Sequence, residues 1–170
     1  MKALVLINLQ NDFGELGALG VQGADAVIAR ANALMPQYEW VVAVRDWHPA
    51  EHVSFAASHL WRRPGQLVRI GEREQLLWHM HCVQGSFGAE FAVGLRTDLI
   101  QAVFSKGMDP GSDSYSGFYV DAQGTPTGLE AWLRERGVGE LHLLGMLPEY
   151  EVKYTALDAE KLGFGVVILG

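Results

Sequence analysis

Residues 145–159 read GMLPEYEVKYTALDA and directly follow the apolar segment ELHLL at residues 140–144. The apolar segment predicts a buried strand. The residues after it predict a helix to about Lys161, with Pro148 in its first turn and Gly163 just beyond its end. In an open α/β sheet, ligands bind at such strand-to-helix turns, because a helix start presents free N–H groups and the positive end of its dipole. We therefore expect the functional residues to gather around this turn, which carries Glu151.

The same alternation of strands and helices extends over the rest of the chain. Apolar or β-branched runs predict strands at residues 2–8, 39–44, 102–104, 140–144 and 166–169. Apolar residues at helical spacing predict helices at 25–35, 127–136 and 148–162. Strands that alternate with helices are typical of the α/β class. The sequence therefore predicts a three-layer α/β/α sandwich around a mostly parallel, doubly wound sheet.

Residues 1–170 form one predicted domain, because the sequence has no internal repeat, low-complexity segment or linker. From about residue 46 to about residue 99 the periodic pattern stops, and this stretch contains two groups of histidines and several tryptophans. So long an irregular excursion in a compact domain is usually functional. We expect it to contribute part of the site.

The composition argues against several classes of function. Hydrophobic residues are 49% and charged residues 19% of the 170 residues, as in a well-packed globular protein. The formal charge of −7 argues against a nucleic-acid partner, because phosphate binding needs clustered Lys and Arg. The one cysteine, Cys82, allows no intrachain disulfide and favours a reducing compartment, the cytoplasm. The apolar N-terminal run is too short for a signal peptide or a membrane span, so we expect no membrane partner.

Four candidate metal ligands lie in the irregular excursion. Asp46, His48 and His52 lie in DWHPAEH, directly after a predicted strand, and His81 lies in WHMHC. Imidazole and carboxylate groups together suit a borderline divalent ion such as Zn²⁺, Fe²⁺ or Mn²⁺. The Asp-x-His pair alone is a weak signal, because most such pairs are exposed polar residues, which is how we interpret His59.

Several segments, in order along nearly the whole chain, resemble motifs of the nicotinamidase/pyrazinamidase family of isochorismatase-like hydrolases. They are LVLINLQNDF at 4–13, DWHPAEHVSFA at 46–56, WHMHCVQG at 78–85, FSKGMDP at 104–110, DSYSGF at 113–118 and GMLPEYEVKYTALDA at 145–159. The resemblance implies the isochorismatase-like hydrolase fold and an amidase reaction on small aromatic carboxamides. It also implies a divalent metal ion bound by Asp46, His48, His52 and His81.

The resemblance assigns three catalytic positions, two of which carry unexpected residues. The family's catalytic cysteine falls at Glu151, its aspartate base falls at Asn8, and its lysine is matched by Lys106. The backbone N–H groups of Leu147 and Glu151 would form the oxyanion hole, with a cis peptide bond between residues 146 and 147.

The aromatic positions match the family better. Phe13 and Trp78 occupy the positions whose rings flank the substrate ring, and Tyr115 belongs to the matched DSYSGF segment, so we expect all three to bind the ligand. The family's usual WPxHC motif has lost its proline at His79. We interpret Cys82 as a small buried residue rather than a nucleophile.

The residues at positions 8 and 151 predict a changed reaction. The Asn8 amide cannot take a proton, and attack on an amide by the Glu151 carboxylate would form a high-energy anhydride. Loss of two triad members removes most of the rate. We therefore predict a nicotinamidase-like protein that keeps its metal site and aromatic carboxamide pocket but is impaired or inactive as an amidase. We expect Lys106 to pair with Glu151, and Asn8 to donate a hydrogen bond to Glu151, because an unpaired buried lysine is costly.

Two other functions stay open at this point. Glu151 could act as the general base for a metal-activated water, giving an amide hydrolase of altered mechanism. The chain could instead be a purely structural oligomer subunit, for which no sequence feature argues directly. Separately, the resemblance implies a possible homo-oligomer, because members of the family often form oligomers. In the first two cases the expected partner is a small aromatic carboxamide or acid.

Overall fold

In the computed structural model, which describes residues 1–169, a five-stranded parallel sheet forms the centre of the fold. The strands are β1 (Lys2–Ile7), β2 (Trp40–Asp46), β3 (Leu67–Ile70), β4 (Arg73–Leu76), β5 (Ala102–Lys106), β6 (Glu140–Gly145) and β7 (Gly165–Ile168). The helices are α1 (Ala24–Leu34), α2 (Leu129–Glu135) and α3 (Lys153–Lys161). The sheet order is β5-β2-β1-β6-β7, and all its neighbouring strands are parallel. This order confirms the predicted mostly parallel, doubly wound sheet.

The central strand β1 is covered on both faces, which explains its unbroken apolar sequence. Residues 3–7 have no exposed surface. Val5 and Ile7 pack in one core with residues of α2 and α3, whereas Leu4 and Leu6 pack in a second core with residues of α1. A parallel strand buried between two helical layers needs apolar side chains in both directions. The two cores confirm the predicted three-layer sandwich.

The excursion between β2 and β5 contains a hairpin that the sequence pattern did not predict. Strands β3 and β4 pair in an antiparallel manner, with Leu67 opposite Leu76. Each strand has four residues, most of them exposed or half-exposed. Strands this short and exposed have no clear period-two apolar pattern, so the sequence gives little signal for them.

Two predicted boundaries differ from the structure near the site. Strand β5 continues to Lys106, beyond the predicted end at residue 104, because Ser105 and Lys106 pair with Arg45 and Asp46 of β2. The predicted helix at 148–162 begins as one π-helical turn, Pro148–Val152, before the α-helical residues of α3. Among residues 1–169, no helix has the length and apolar character needed to cross a bilayer.

Gly145 sits at a close approach between β6 and β1. A Cβ atom at Gly145 would lie 2.3 Å from the carbonyl oxygen of Ile7, so a side chain there would push the two strands apart. We expect Gly145→Ala to lower the free energy of unfolding by about 1–3 kcal/mol, as over-packing does. Urea unfolding with an unchanged m value measures this loss.

Gly139 provides the matched control, because a Cβ atom there would meet no other atom within 4 Å. Gly139→Ala should leave the unfolding midpoint nearly unchanged. A Gly145→Ala protein as stable as the Gly139→Ala protein would contradict the packing argument.

Candidate active site

The predicted site residues converge at the carboxyl edge of the sheet. Asn8 follows β1, Asp46 ends β2, Lys106 ends β5, and Glu151 lies in the turn after β6. These four strands are consecutive neighbours in the order β5-β2-β1-β6, so their ends lie side by side. The fold thus brings together residues that are far apart in the sequence.

Lys106 is fully buried between two carboxylates. Its Nζ atom lies 2.5 Å from Asp46 Oδ1 and 2.5 Å from Glu151 Oε2, and it donates a third contact to the carbonyl oxygen of Ser114 at 3.0 Å. The contact to Asp46 is a hydrogen bond, whereas Glu151 Oε2 forms an ion pair without hydrogen-bond alignment. The expected pairing of Lys106 with Glu151 is therefore present in the structure.

Burial and neighbouring charges shift the pKa values of this group in different directions. Burial lowers the pKa of Lys106, but Asp46 and Glu151 more than offset this and raise it, so Lys106 stays an ammonium. Burial raises the pKa of Asp46, but Lys106 and His48 lower it well below its usual value. Burial raises the pKa of Glu151 well above its usual value, and Lys106 offsets only part of that shift. Asp46 is therefore the stronger of the two counter-charges of Lys106.

The expected hydrogen bond from Asn8 to Glu151 is wrong. Asn8 Nδ2 donates instead to Asp46 Oδ2 at 3.2 Å. The residue lies directly after β1 with φ of 56°, a conformation that Asn tolerates better than most residues. The neighbouring strand β2 ends at Asp46, which places that carboxylate beside the amide. Asn8 Oδ1 is buried and accepts no hydrogen bond within residues 1–169.

The turn after β6 differs from the expectation in two ways. The expected cis peptide bond before Leu147 is wrong, because residues 1–169 contain no cis peptide bond. Leu147 has φ of 55° and ψ of 63°, and its carbonyl oxygen accepts hydrogen bonds from the N–H groups of Tyr150 and Glu151 at 3.1 and 3.0 Å. The Glu151 N–H, predicted as an oxyanion-hole donor, is therefore already used within the turn.

Three of the four predicted metal ligands present their ligand atoms to one point. His48 Nε2 and His81 Nε2 lie 3.7 and 3.8 Å from Asp46 Oδ2, and all three residues are buried. His48 Nδ1 lies 2.7 Å from the Gly107 carbonyl oxygen, and His81 Nδ1 lies 2.8 Å from the His79 carbonyl oxygen. A carbonyl oxygen can only accept, so each Nδ1 carries a proton, and in the neutral form of each ring Nε2 presents a lone pair. This donor set fits a borderline divalent ion.

His52, the fourth predicted ligand, is placed differently. Its Nε2 lies 3.2 Å from the Ser112 carbonyl oxygen and must therefore carry the proton. Its Nδ1 accepts the Ser54 N–H at 3.3 Å and contacts Ser54 Oγ at 2.7 Å. Both ring nitrogens already have hydrogen-bond partners. His52 therefore presents no free lone pair to the metal point, the position shared by Asp46 Oδ2, His48 Nε2 and His81 Nε2. Together with His48 and Asp113 it forms a second group of side chains that could hold a metal ion. The sequence did not single out the Asp113 carboxylate beyond its place in the DSYSGF motif.

The aromatic residues form two separate sets of contacts. Trp78 contacts Tyr115 and Tyr150, and Phe13 contacts His81. Trp78 Nε1 donates to Tyr115 Oη at 3.2 Å, and Tyr150 packs edge-on against Trp78 with ring centroids 5.1 Å apart. Phe13 is fully buried and packs against His81, with ring centroids 5.7 Å apart. The sequence analysis did not predict Tyr150 as part of this aromatic contact, although the residue directly precedes Glu151 in the turn.

Cys82 is buried, and burial is the largest of the effects that raise the pKa of its thiol far above the usual value, followed by Asp46. A thiol that stays protonated is a poor nucleophile. This confirms that Cys82 is a small buried residue. The arrangement can therefore hold a divalent cation beside a buried ammonium, with no ionised thiol next to it.

The metal ligands give the first prediction at this site. We expect His48→Ala and His81→Ala to weaken Zn²⁺ binding by more than about 100-fold, above the effect of losing an outer-shell partner. His52→Ala should weaken it by at most about tenfold, because that ring only packs against His48. Zinc content after dialysis, measured by plasma mass spectrometry, separates the two classes. Equal zinc loss in His52→Ala and His81→Ala would contradict the three-ligand site.

The second prediction concerns pH and the metal-free protein. Burial, followed by the charge of His48, lowers the pKa of His81 from 6.5 to about 4. Between these values the unfolded chain binds a proton at this position that the folded chain does not, so stability is lost as pH falls from 6.5 to 4. His81→Gln should make this pH dependence shallower by up to about 3 kcal/mol across the window. Urea unfolding in the presence of a chelator measures it.

His79→Gln is the matched control for this measurement, because His79 is exposed and two residues away. Its pH dependence should equal that of the unmodified chain. A His81→Gln protein whose stability follows the same pH curve as the His79→Gln protein would refute the assignment of a neutral, buried His81.

Comparison with known proteins places this geometry in a family. Residues 2–170 match the family model of the isochorismatase domain. The nicotinamidase of Escherichia coli (strain K12) is 42% identical, over 99% of this chain and 80% of its own length. The nicotinamidase of Acinetobacter baylyi is 36% identical, over 98% of this chain and 78% of its own length.

Solved structures agree with the sequence relatives. A nicotinamidase/pyrazinamidase of Acinetobacter baumanii superposes with a TM-score of 0.94 at 39% identity, over 99% of this chain and 81% of that chain. The yeast nicotinamidase bound to the inhibitor nicotinaldehyde gives 0.91 at 30% identity, over 99% and 86%. The pyrazinamidase of Pyrococcus horikoshii in complex with zinc gives 0.78 at 34% identity, over 98% and 82%. The chain therefore belongs to the isochorismatase family, and the two sequence relatives named above are nicotinamidases.

Proposed function

We propose that this protein is a nicotinamidase-like binding protein that holds a divalent metal ion and a small aromatic carboxamide or acid, and that it has lost most thiol amidase activity. The observation that carries the proposal is the ion pair between Lys106 and Glu151, with Nζ and Oε2 2.5 Å apart. In the nicotinamidase/pyrazinamidase family that the sequence resembles, the residue at the position of Glu151 is the catalytic nucleophile. Here that position presents a buried carboxyl group held by the lysine.

The chemistry of the pair argues against covalent amide hydrolysis. Attack of the Glu151 carboxylate on an amide would form a high-energy anhydride, and the Asn8 amide cannot act as the base. The Glu151 N–H is bonded to the Leu147 carbonyl oxygen, which leaves it unavailable to stabilise an oxyanion. Each of these features lowers the rate of the same step, so their combined effect should be large.

The metal site supports binding. Asp46, His48 and His81 would hold a divalent ion, which could orient or polarise a ligand atom bound to it. One structural relative, a pyrazinamidase, is in complex with zinc, which supports a metal site in this chain. Trp78, beside Tyr150, offers an aromatic surface for the ligand's ring.

The second candidate is a hydrolase in which Glu151 acts as the general base for a metal-activated water. The raised pKa of Glu151 favours it, because a more basic carboxylate accepts a proton more readily. The ion pair opposes it, since Lys106 holds the carboxylate in place.

Restoring the family residues tests the proposal. We expect Asn8→Asp combined with Glu151→Cys to release ammonia from nicotinamide, in the presence of Zn²⁺, at least about 10³-fold faster than the unmodified chain. Asn8→Asp combined with Glu151→Ala is the matched control, because it restores the base without a thiol and should stay inactive. Ammonia release is the measurement.

Two results with the unmodified chain would contradict the proposed function. Rapid metal-dependent ammonia release that Glu151→Gln abolishes would overturn the proposal in favour of the second candidate. Failure of the unmodified, zinc-loaded chain to bind either nicotinamide or nicotinate in calorimetry would overturn the binding part.

A further inference from the structure

A group of polar side chains lies at the amino edge of the sheet, away from the candidate active site. Lys2 begins β1, Glu140 and His142 lie on β6, and Tyr38 lies between α1 and β2. The pairing of β1 with β6 places Lys2 opposite Glu140. Asn8 of the candidate active site lies six residues further along the chain than Lys2, which is about 20 Å at the rise of a strand. The metal point is therefore out of reach of this group.

Tyr38, His142 and Glu140 form a chain of two short hydrogen bonds. Tyr38 Oη lies 2.6 Å from His142 Nδ1, and His142 Nε2 lies 2.7 Å from Glu140 Oε1. A carboxylate can only accept, so Nε2 carries a ring proton. In the neutral ring Nδ1 then has a lone pair, and the Tyr38 hydroxyl donates its proton to it. We call these three residues the amino-edge triad.

The fold holds the three side chains in this order. Glu140 and His142 are two residues apart on β6, so their side chains lie on the same face of the sheet. The Tyr38 N–H donates to the Met35 carbonyl oxygen at 3.2 Å, and the Tyr38 side chain packs against the core on the α1 side of the sheet. The Tyr38 and His142 rings meet edge-on, with centroids 5.5 Å apart. The imidazole is thus held between the phenol and the carboxylate.

The amino-edge triad has the three parts of an activated nucleophile. Its hydroxyl donates to an imidazole, and a carboxylate orients that imidazole, which is how a general base prepares a hydroxyl for attack. Within residues 1–169, no other tyrosine hydroxyl has a hydrogen bond to an imidazole. Tyr38 is therefore distinguished from the other tyrosines by its base.

The amino-edge triad is open to a ligand that arrives from solvent. The side chains of Glu140 and His142 are 51% and 14% exposed, and Tyr38 is half-buried. The exposed Lys2 places its ammonium 5.4 Å from the centre of the Tyr38 ring. A positive charge beside the hydroxyl favours the oxyanion that forms when the hydroxyl attacks a carbonyl group.

We propose that Tyr38 is a nucleophile that accepts a small acyl group from aryl esters, with His142 as its general base and Glu140 as the residue that positions the imidazole. In this step Tyr38 Oη forms a bond to the carbonyl carbon while its proton passes to His142 Nδ1. The bond between the carbonyl carbon and the leaving oxygen then breaks. The leaving oxygen takes the electron pair and receives the proton from His142. The products are an acylated Tyr38 and a free phenol.

The basicity of a phenol limits the class of acyl donor. A tetrahedral intermediate expels its less basic group more readily, and tyrosine hydroxyls ordinarily have a pKa of about 10. Amines and alkoxides are more basic leaving groups than a phenolate, so amides and alkyl esters would return to starting material. Aryl esters have leaving groups of equal or lower basicity. The expected substrates are therefore aryl esters, which separates this activity from amide hydrolysis.

Acetylation by p-nitrophenyl acetate tests the proposal. We expect Tyr38 to be acetylated at pH 7 at least about 100-fold faster than Tyr154, because general-base assistance contributes that much. Tyr154 is the internal control, since it is 42% exposed and, within residues 1–169, its hydroxyl is not bonded to an imidazole. Peptide mass spectrometry at successive times measures both rates in the same sample. The rates should be equal in the zinc-loaded protein and after chelation.

The pKa of Tyr38 sharpens this comparison. Burial, followed by the charge of Glu140, raises that pKa above its ordinary value of 10.0. If the tyrosines reacted only as free phenolates, Tyr38 would therefore react more slowly than the exposed Tyr154. Phenols ionise near pH 10 and imidazoles between about pH 5 and 8, so acetylation through the imidazole should level off by about pH 8. Tyr38, Glu140 and Lys2 are the titratable groups packed around that imidazole.

Variants of the amino-edge triad separate the two roles. His142→Gln should slow acetylation of Tyr38 at least about 100-fold, because an amide is not a general base. His79→Gln, an exposed histidine elsewhere, is the matched control and should leave the rate unchanged. Glu140→Ala should give an intermediate loss, and Glu140→Gln should recover most of the rate, since its amide oxygen still accepts the Nε2 proton. This recovery is expected of a residue that positions the imidazole.

Two results would overturn the proposal: acetylation of Tyr38 that is no faster than that of Tyr154 at pH 7, or a Tyr38 rate that His142→Gln leaves unchanged. The first uses only the unmodified chain, so it holds whether or not a variant folds. Circular dichroism of each variant excludes misfolding as the cause of a slower rate. Neither a metal ion nor a carboxamide takes part, so this result is separate from that of the proposed function.

Discussion

The Lys106 ammonium is fully buried at the carboxyl edge of the sheet, and the arrangement of the site depends on compensating its charge. A buried ammonium without a partner is strongly destabilising. Asp46 supplies most of the compensation, while the same carboxylate accepts a hydrogen bond from Asn8 and faces His48 and His81, the two proposed metal ligands beside it. One carboxylate thus connects the metal point to the lysine, so a change at either place alters the electrostatics of the other.

The fold was predictable because it depends on patterns that repeat along the chain. The unbroken apolar run of β1 requires cover on both faces, and the alternation of strands with helices leaves few topologies. The hairpin Leu67–Leu76 was not predictable, because short exposed strands have no apolar period to detect. Single-residue boundaries also failed where pairing with a neighbour, as between Lys106 and Asp46, extended a strand beyond its apolar part.

The sequence predicted which residues lie near Lys106 better than it predicted the hydrogen bonds that they form. The motifs identified the residues that gather around Lys106, and Asp46, His48 and His81, three of the four predicted ligands, lie close enough together to share an ion. Which lone pair each imidazole presents depends on backbone carbonyls that no motif encodes, and this separates His52 from His81. The hydrogen bond from Asn8 to Asp46, rather than to Glu151, has a similar cause. Asn8 and Asp46 lie at the ends of the paired parallel strands β1 and β2, and this pairing sets the distance between them.

The buried ammonium also limits the order in which this site could change during evolution. An aspartate at position 8 together with Glu151 would surround Lys106 with three carboxylates, which leaves excess negative charge inside the protein. Loss of Glu151 first leaves Lys106 paired with Asp46, and position 8 is then free to change. Replacement of Glu151 before Asn8 is therefore easier to accommodate than the reverse order. The buried charge of Lys106 thus makes the effect of a substitution at position 8 depend on the residue at position 151.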